Sequence, residues 1–186
     1  MKKIILYGDS ILAAYHHNHP TPLLLARLNK MLPNANIINH SIPGATSEEA
    51  LDFLPLKVTN EDYDLVVLGM GTNDCTIKLG LSPGKYSWNL DELIEKIGYR
   101  KILLMGPAYT NWKIAQDHSW PRTLQFRLVA AQAAYKNKVP FLDLANDMNL
   151  TGHTNQLLQA DGIHLNNEGL DLLASDLVNQ TKKVLQ

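Results

Sequence analysis

The stretch Leu65-Val66-Val67-Leu68-Gly69-Met70-Gly71-Thr72-Asn73-Asp74 decides the fold. Its first four residues are apolar with no polar alternation, and a strand reads that way when both of its faces are covered. Ile102-Leu103-Leu104-Met105 repeats the pattern. Working outward, five strands are expected, over 3–7, 36–39, 64–68, 101–105 and 139–142. Helix signals lie between them. Thr21-Pro22 reads as a cap followed by a first-turn proline, opening a helix over 23–31. Thr46-Ser47-Glu48-Glu49 fits a capping box, with its helix ending before Pro55. Asn89 reads as the cap of a helix to Ile97, which Gly98 is placed to end. Ser119 precedes a helical segment to about residue 135. The segment 168–185 carries Leu172, Leu173, Leu177, Val178, Val184 and Leu185. A β-α order repeated five times predicts an α/β fold of three layers, α/β/α, around a five-stranded parallel sheet. Residues 1–186 read as a single domain. Pro83-Gly84 and residues 151–156 read as loops inside it.

Composition agrees with a globular chain. Of 186 residues, 45% are hydrophobic and 19% charged, which supplies a core and rules out a highly charged disordered chain. With 17 basic and 18 acidic residues the net charge is −1, so there is no general pull toward nucleic acid or an anionic membrane. The single cysteine, Cys75, excludes an intramolecular disulfide. No apolar run approaches the roughly 20 residues that span a bilayer. Lys2 and Lys3 precede an apolar run from Ile4 to Tyr7 only, shorter than the roughly 7–15 residues of a secretory core, so a cytoplasmic protein is expected.

In an open parallel sheet, ligands bind beyond the carboxyl ends of the strands. There the sequence places Gly8-Asp9-Ser10, Asn39-His40-Ser41-Ile42-Pro43-Gly44, Gly69 to Asp74 and, before the last helix, Asp161-Gly162-Ile163-His164. Each block alone is weak. Together they hold the parts of a serine hydrolase: Ser10 as nucleophile, His164 as general base, Asp161 to orient it and Asn73 as an oxyanion donor. The spacing Asp161-x-x-His164 lets one loop deliver both acid and base.

The four blocks, in this order along the whole chain, resemble those of the SGNH hydrolases, also called GDSL lipases/esterases. Gly8-Asp9-Ser10 is similar to the first block, Gly44 to the glycine of the second, Gly71-Thr72-Asn73-Asp74 to the third and Asp161-x-x-His164 to the last. The resemblance implies a flavodoxin-like fold and hydrolysis of carboxylic esters or thioesters of small molecules without metal or other cofactor. It also implies an oxyanion hole made of the Ser10 and Gly44 N–H groups and the Asn73 side chain. Two positions depart from the pattern. Ile11 replaces a leucine, a near-isostere at a position expected to face inward, and Ser41 stands where a glycine is common.

Plainer readings stand beside these. Ser10 suits a turn cap, His164 a surface loop, and Asn73 a loop cap, although Asp74 fits that structural part better. Asp9 reads as a turn residue that pins the bend aiming Ser10. Gly44 after Pro43 reads as a strained-turn glycine, which is compatible with an oxyanion role. Gly80-Leu81-Ser82-Pro83-Gly84 fits the G-x-S-x-G nucleophile elbow, but no strand leads into it and Pro83-Gly84 extends a loop, so Ser82 is set aside. His16, His17 and His19 could hold a metal. No cysteine or carboxylate lies among them, and a solvated rim loop is the better reading. Cys75 reads as a small buried side chain. Tyr109-Thr110-Asn111-Trp112 follows the fourth strand, which makes Tyr109 and Trp112 candidates for a pocket wall. Tyr15, Trp88 and Trp120 also lie in or beside loops at that end. A different class remains open: a non-catalytic flavodoxin-like module binding a phosphate or nucleotide in the same crevice. The chain lacks G-x-G-x-x-G after its first strand and a Walker-type lysine. Turnover of p-nitrophenyl acetate separates the two. The motifs do not encode the natural ester, its acyl chain or the oligomeric state.

Overall fold

The computed structural model describes residues 1–186. Five strands, β1 (Lys2–Gly8), β2 (Ala35–Asn39), β3 (Leu65–Gly69), β4 (Ile102–Met105) and β5 (Phe141–Leu142), form one parallel sheet in the order β2-β1-β3-β4-β5. This is the flavodoxin-like order, in which the chain reverses its direction of travel between β1 and β3 and opens a crevice there.

The absence of polar alternation has its physical cause in the layers. Successive strand residues point to opposite faces. Ile4, Leu6, Leu65, Val67, Leu103 and Met105 enter one core, covered by α1 (Leu23–Met31), α5 (Leu144–Leu150) and α6 (Asn167–Val184) through Leu24, Leu28, Leu144, Met148, Leu173 and Leu177. Ile5, Tyr7, Val66, Leu68, Ile102 and Leu104 enter the other, covered by α2 (Ser47–Leu54), α3 (Pro83–Ile97) and α4 (Trp120–Asn137) through Ala50, Leu54, Leu90, Ile94 and Phe126. Leu68 and Leu104 are fully buried. Truncating either to alanine is expected to cost about 2–5 kcal/mol, since lost transfer energy and cavity add.

At the carboxyl ends of β1 and β3, Gly8 pairs with Gly69. A Cβ on Gly8 would lie 2.4 Å from the Gly69 carbonyl oxygen, and one on Gly69 2.6 Å from the Met105 methyl. Two glycines facing each other thus bring the two site-bearing loops together.

Several local expectations need correction. α3 starts at Pro83, not at Asn89. Ser82 is its cap, accepting from the Lys85 N–H, and Pro83 sits in the first turn, while Asn89 is buried inside the helix. Pro83-Gly84 is therefore helix and not loop. Thr21 does not cap α1; its hydroxyl donates to the Ala14 carbonyl at 2.6 Å, and Pro22 occupies the cap position without a side-chain bond. β5 is two residues long because Pro140 has no N–H to give and the Val139 N–H closes α4 on the Ala134 carbonyl. α5, unforeseen, is capped by Asp143 through the Asn146 N–H. Asp143 is also gripped by Arg127 with two 2.6 Å bonds. Thr154–Leu157 forms a 3₁₀ turn that overlaps the end of the loop expected over 151–156, and α2 runs on into a π turn over Pro55–Thr59. Gly98, at φ 104°, ends α3 as expected. A cleft of about 420 Å³ at the amino ends of the strands is lined by Lys2, Ile4, Ala35, Thr181, Leu185 and Gln186 among others.

Candidate active site

The turn after β1 is fixed from below. Asp9, 1% exposed, accepts the Ile11 N–H on Oδ1 (2.9 Å) and the Thr72 N–H on Oδ2 (3.2 Å). One carboxylate therefore holds the bend that presents Ser10 and ties it to the loop after β3. Ile11 is buried, as its near-isosteric replacement required.

The distant loop arrives from residue 161. Asp161 Oδ1 accepts the N–H groups of Ile163 (2.9 Å) and His164 (3.0 Å), while Gly162 turns the chain at φ 71°. The other carboxylate oxygen lies 2.7 Å from His164 Nδ1. His164 Nε2 lies 3.0 Å from Ser10 Oγ. An imidazole that carries its proton on Nδ1 donates a hydrogen bond through it to Asp161 and turns its other nitrogen, an acceptor, to the serine hydroxyl. For Asp161, partial burial works against ionisation, but the His164 bond and the two N–H groups outweigh it and hold the carboxyl below its ordinary value.

Gly44 has φ 84°, a left-handed conformation that a Cβ disfavours, so the turn after Pro43 requires glycine there. The Asn73 amide donates to the Ala45 carbonyl at 2.9 Å. The neighbouring Asp74 is engaged elsewhere: its carboxylate accepts the Ser47 N–H at 3.0 Å and the Ser47 hydroxyl in a short bond. The Asn89 amide completes this buried chain by donating to Ser47 Oγ at 2.8 Å. Two ties, Asn73 to Ala45 and Asp74 to Ser47, lock the loop carrying Gly44 against the loop carrying Asn73. An amide carries two donors, so Asn73 keeps one N–H beyond the bond to Ala45. The backbone N–H groups of Ser10 and Gly44 make no backbone hydrogen bond. Gly44 and Asn73 share the wall of a cavity of about 450 Å³ with Thr46, Thr76, Leu79 and Asp117.

Burial raises the carboxyls of Asp9 and Asp74 to about 6, their hydrogen bonds opposing the shift; the charge of Asp9 pushes Asp74 further the same way. Burial likewise lifts the Cys75 thiol to about 11, which leaves it a packed side chain.

The other candidates are placed as follows. Ser82 spends its hydroxyl on the helix cap. His16, His17 and His19 sit on a tight turn closed by reciprocal bonds between His16 and His19, with His17 and Asn18 at positive φ. No group of three His, Cys, Asp or Glu side chains is arranged to hold a metal ion. Tyr109 donates to Asn155 Oδ1 (3.0 Å), packs against Trp120 with the ring planes tilted 58° and lines a polar pocket of about 350 Å³ with Asn149 and His153. Trp112 is half exposed on the same loop and is not part of that pocket. Ser41 faces a separate small recess beside Asn39 and Thr21. Sequence reasoning missed Ser47 and Asn89: the first looked like an ordinary first-turn residue, the second like a cap.

Residues 6–172 match the model of the GDSL-like Lipase/Acylhydrolase family. Esterase TesA of Pseudomonas aeruginosa is 30% identical over 174 residues, covering 87% of this chain and 78% of that protein. The crystal structure of the lipase/acylhydrolase from Enterococcus faecalis superposes with a TM-score of 0.96 at 30% identity, covering 100% of this chain and 98% of that one. A crystal structure of TesA superposes with a TM-score of 0.80 at 25% identity, covering 99% and 100%. No helix is long and apolar enough to cross a membrane. With its family match spanning nearly the whole sheet and the loops above it, the chain belongs to the GDSL-like lipase/acylhydrolase family and is an ester-hydrolysing enzyme.

Proposed function

We propose that residues 1–186 act as one hydrolase domain that cleaves carboxylic esters or thioesters of small molecules through an acyl-enzyme on Ser10. His164 Nε2 takes the Ser10 hydroxyl proton as Oγ attacks the substrate carbonyl carbon. Asp161 stabilises the imidazolium and stays ionised. The N–H groups of Ser10 and Gly44 and the free N–H of Asn73 receive the developing oxyanion. The carbon–oxygen (or carbon–sulfur) bond breaks, and the leaving group collects the proton from His164. Water, activated by the same imidazole, then attacks the acyl-enzyme, releases the acid and restores Ser10. Tyr109 and Trp112, on the loop after β4, are proposed to flank the substrate.

The observation that carries this reading is the relay from Asp161 through His164 to Ser10 at 2.7 and 3.0 Å, delivered from residues 154 apart in sequence. Turnover of p-nitrophenyl acetate, with stoichiometric labelling by an organophosphonate, tests it. One adduct is expected, on Ser10, absent in Ser10→Ala and retained in Ser82→Ala. An adduct on another residue, or turnover that survives Ser10→Ala, would sink the proposal.

A further inference from the structure

His164 is gripped on a side that this mechanism does not use. Tyr15, five residues after Ser10, places its ring centroid 4.8 Å from that of the imidazole, with the planes 38° apart. That is within the range of favourable aromatic contacts. The backbone of Tyr15 is tied to both halves of the site. Its N–H donates to the Ser10 carbonyl at 3.0 Å. Its carbonyl accepts from Nε2 of Gln159 at 2.7 Å. The same Gln159 amide donates to the Leu165 carbonyl (2.9 Å), and the Gln159 N–H donates to the His164 carbonyl (2.7 Å). Gln159 thus fixes the His164 backbone, and Tyr15 lies against its ring.

The residue before Tyr15 carries strain. Ala14 has φ 47°, in the left-handed region that a Cβ disfavours. Thr21 holds it there through the 2.6 Å bond to the Ala14 carbonyl. Strained residues persist where the surroundings over-determine them, and they gather at functional sites. Here the strained turn delivers an aromatic ring to the imidazole that faces Ser10.

We propose that Tyr15 is a positioning residue: its ring keeps the His164 imidazole in line with Ser10 and stabilises the imidazolium formed when His164 takes the serine proton. The proposal rests on His164 being the general base. An aromatic ring attracts a cation through its quadrupole, and more strongly where water is excluded. Of the titratable groups around His164, Asp161 on its own loop touches it, and Asp9 below Ser10 and His118 on the loop after β4 lie near enough to interact with it through charge. Asp161 accepts from the imidazole at 2.7 Å, while the Asp9 oxygens accept from the Ile11 and Thr72 N–H groups. Burial holds His118 below the ordinary histidine value. Tyr15 acts with Asp161 and supplies what a carboxylate cannot, an apolar wall on the ring.

The test is kcat/KM against pH for Tyr15→Phe and Tyr15→Leu. Wild-type turnover of p-nitrophenyl acetate and its single adduct on Ser10 are established first, so failure of the underlying reading shows before any variant is made. Tyr15→Phe keeps the ring and should remain within twofold of wild type. Tyr15→Leu should lower kcat/KM about 3- to 30-fold, mostly in kcat. Its acidic limb should move to lower pH by about half a unit or more, because the imidazolium has lost a stabilising neighbour. Equal activity with an unmoved limb overturns the proposal. So does a fall in kcat with an unmoved limb, since that reduces Tyr15 to packing. Should Tyr15→Leu fail to fold, Tyr15→Met takes its place with the same readings. In the wild type, NMR cross-relaxation between the Tyr15 and His164 ring protons needs no variant, and its absence also overturns the proposal.

Discussion

Replacing Asn73 with alanine removes one of the three donors assigned to the oxyanion, and the only one that a point mutation can delete. The structure divides the cost in two. One amide N–H is spent on the Ala45 carbonyl at 2.9 Å. Losing that bond is expected to cost about 1 kcal/mol of stability, a fall of about 2–4 °C in melting temperature for a chain of this size. The other N–H is the catalytic one. Deleting a single oxyanion donor costs about 10²–10³ in kcat, roughly 3–4 kcal/mol of transition-state stabilisation. KM should change little, because the ground-state carbonyl carries less charge than the tetrahedral intermediate. Asn73→Asp sharpens the test. It is nearly isosteric, yet it turns carboxylate oxygens toward both the Ala45 carbonyl and the developing oxyanion, so its kcat should fall below that of Asn73→Ala. The assay is steady-state hydrolysis of p-nitrophenyl acetate, with circular dichroism confirming the fold. Near-wild-type kcat in a folded Asn73→Ala protein would remove Asn73 from the mechanism, and Asn73→Asp outperforming Asn73→Ala would refute the charge argument.

Further expectations follow from the same geometry. Ser82→Ala should leave turnover intact but lower stability by about 0.5–2 kcal/mol in a denaturant melt, since Ser82 caps α3 through the Lys85 N–H; unchanged stability would contradict the cap. Activity should fall on the acidic side of the kcat/KM profile as His164 protonates, with Asp161, held below its ordinary value, still ionised there; a flat profile from about pH 5 to 8 would count against His164 as base. Asp74 is raised from 3.8 to about 6, so between those pH values the folded state binds more protons than the unfolded one and the group's contribution to stability is lost as pH rises. The stability of wild type relative to Asp74→Asn, from melts at pH 4 to 7, should therefore decline across that window; a rising difference would reverse the sign.

The sheet was legible because its strands are buried on both faces: the runs at 65–68 and 102–105 carry no polar residue to confuse the period. The site blocks were legible because parallel strands send their carboxyl ends to one edge, so residues after β1, β2 and β3 must be neighbours. Local punctuation was less faithful. Ser82-Pro83 and Thr21-Pro22 carry the same signal, yet only the first is a cap. At Thr21 the hydroxyl instead donates to the Ala14 carbonyl seven residues upstream, in a turn whose shape the local propensities do not encode. α5 escaped because its anchor is Asp143 gripped by Arg127 from the neighbouring α4, a pair fixed by layer packing. The hold on Asn73 escaped for a similar reason. Asp74 is its neighbour in sequence, but the Ala45 carbonyl is its neighbour in space. Tyr15 could be placed near the active end, but not against His164, since their contact spans most of the chain.

The cleft that holds Lys2 on one side and Leu185 and Gln186 on the other brings both ends of the chain to the amino ends of the strands, across the sheet from Ser10. A tag, surface anchor or fused domain attached at either end therefore projects away from the substrate mouth. A short flexible linker could join the two ends and carry the chain break to an exposed turn, such as that at Gly152, while all five strands keep their order. The catalytic loops would then be re-ordered in sequence without moving in space.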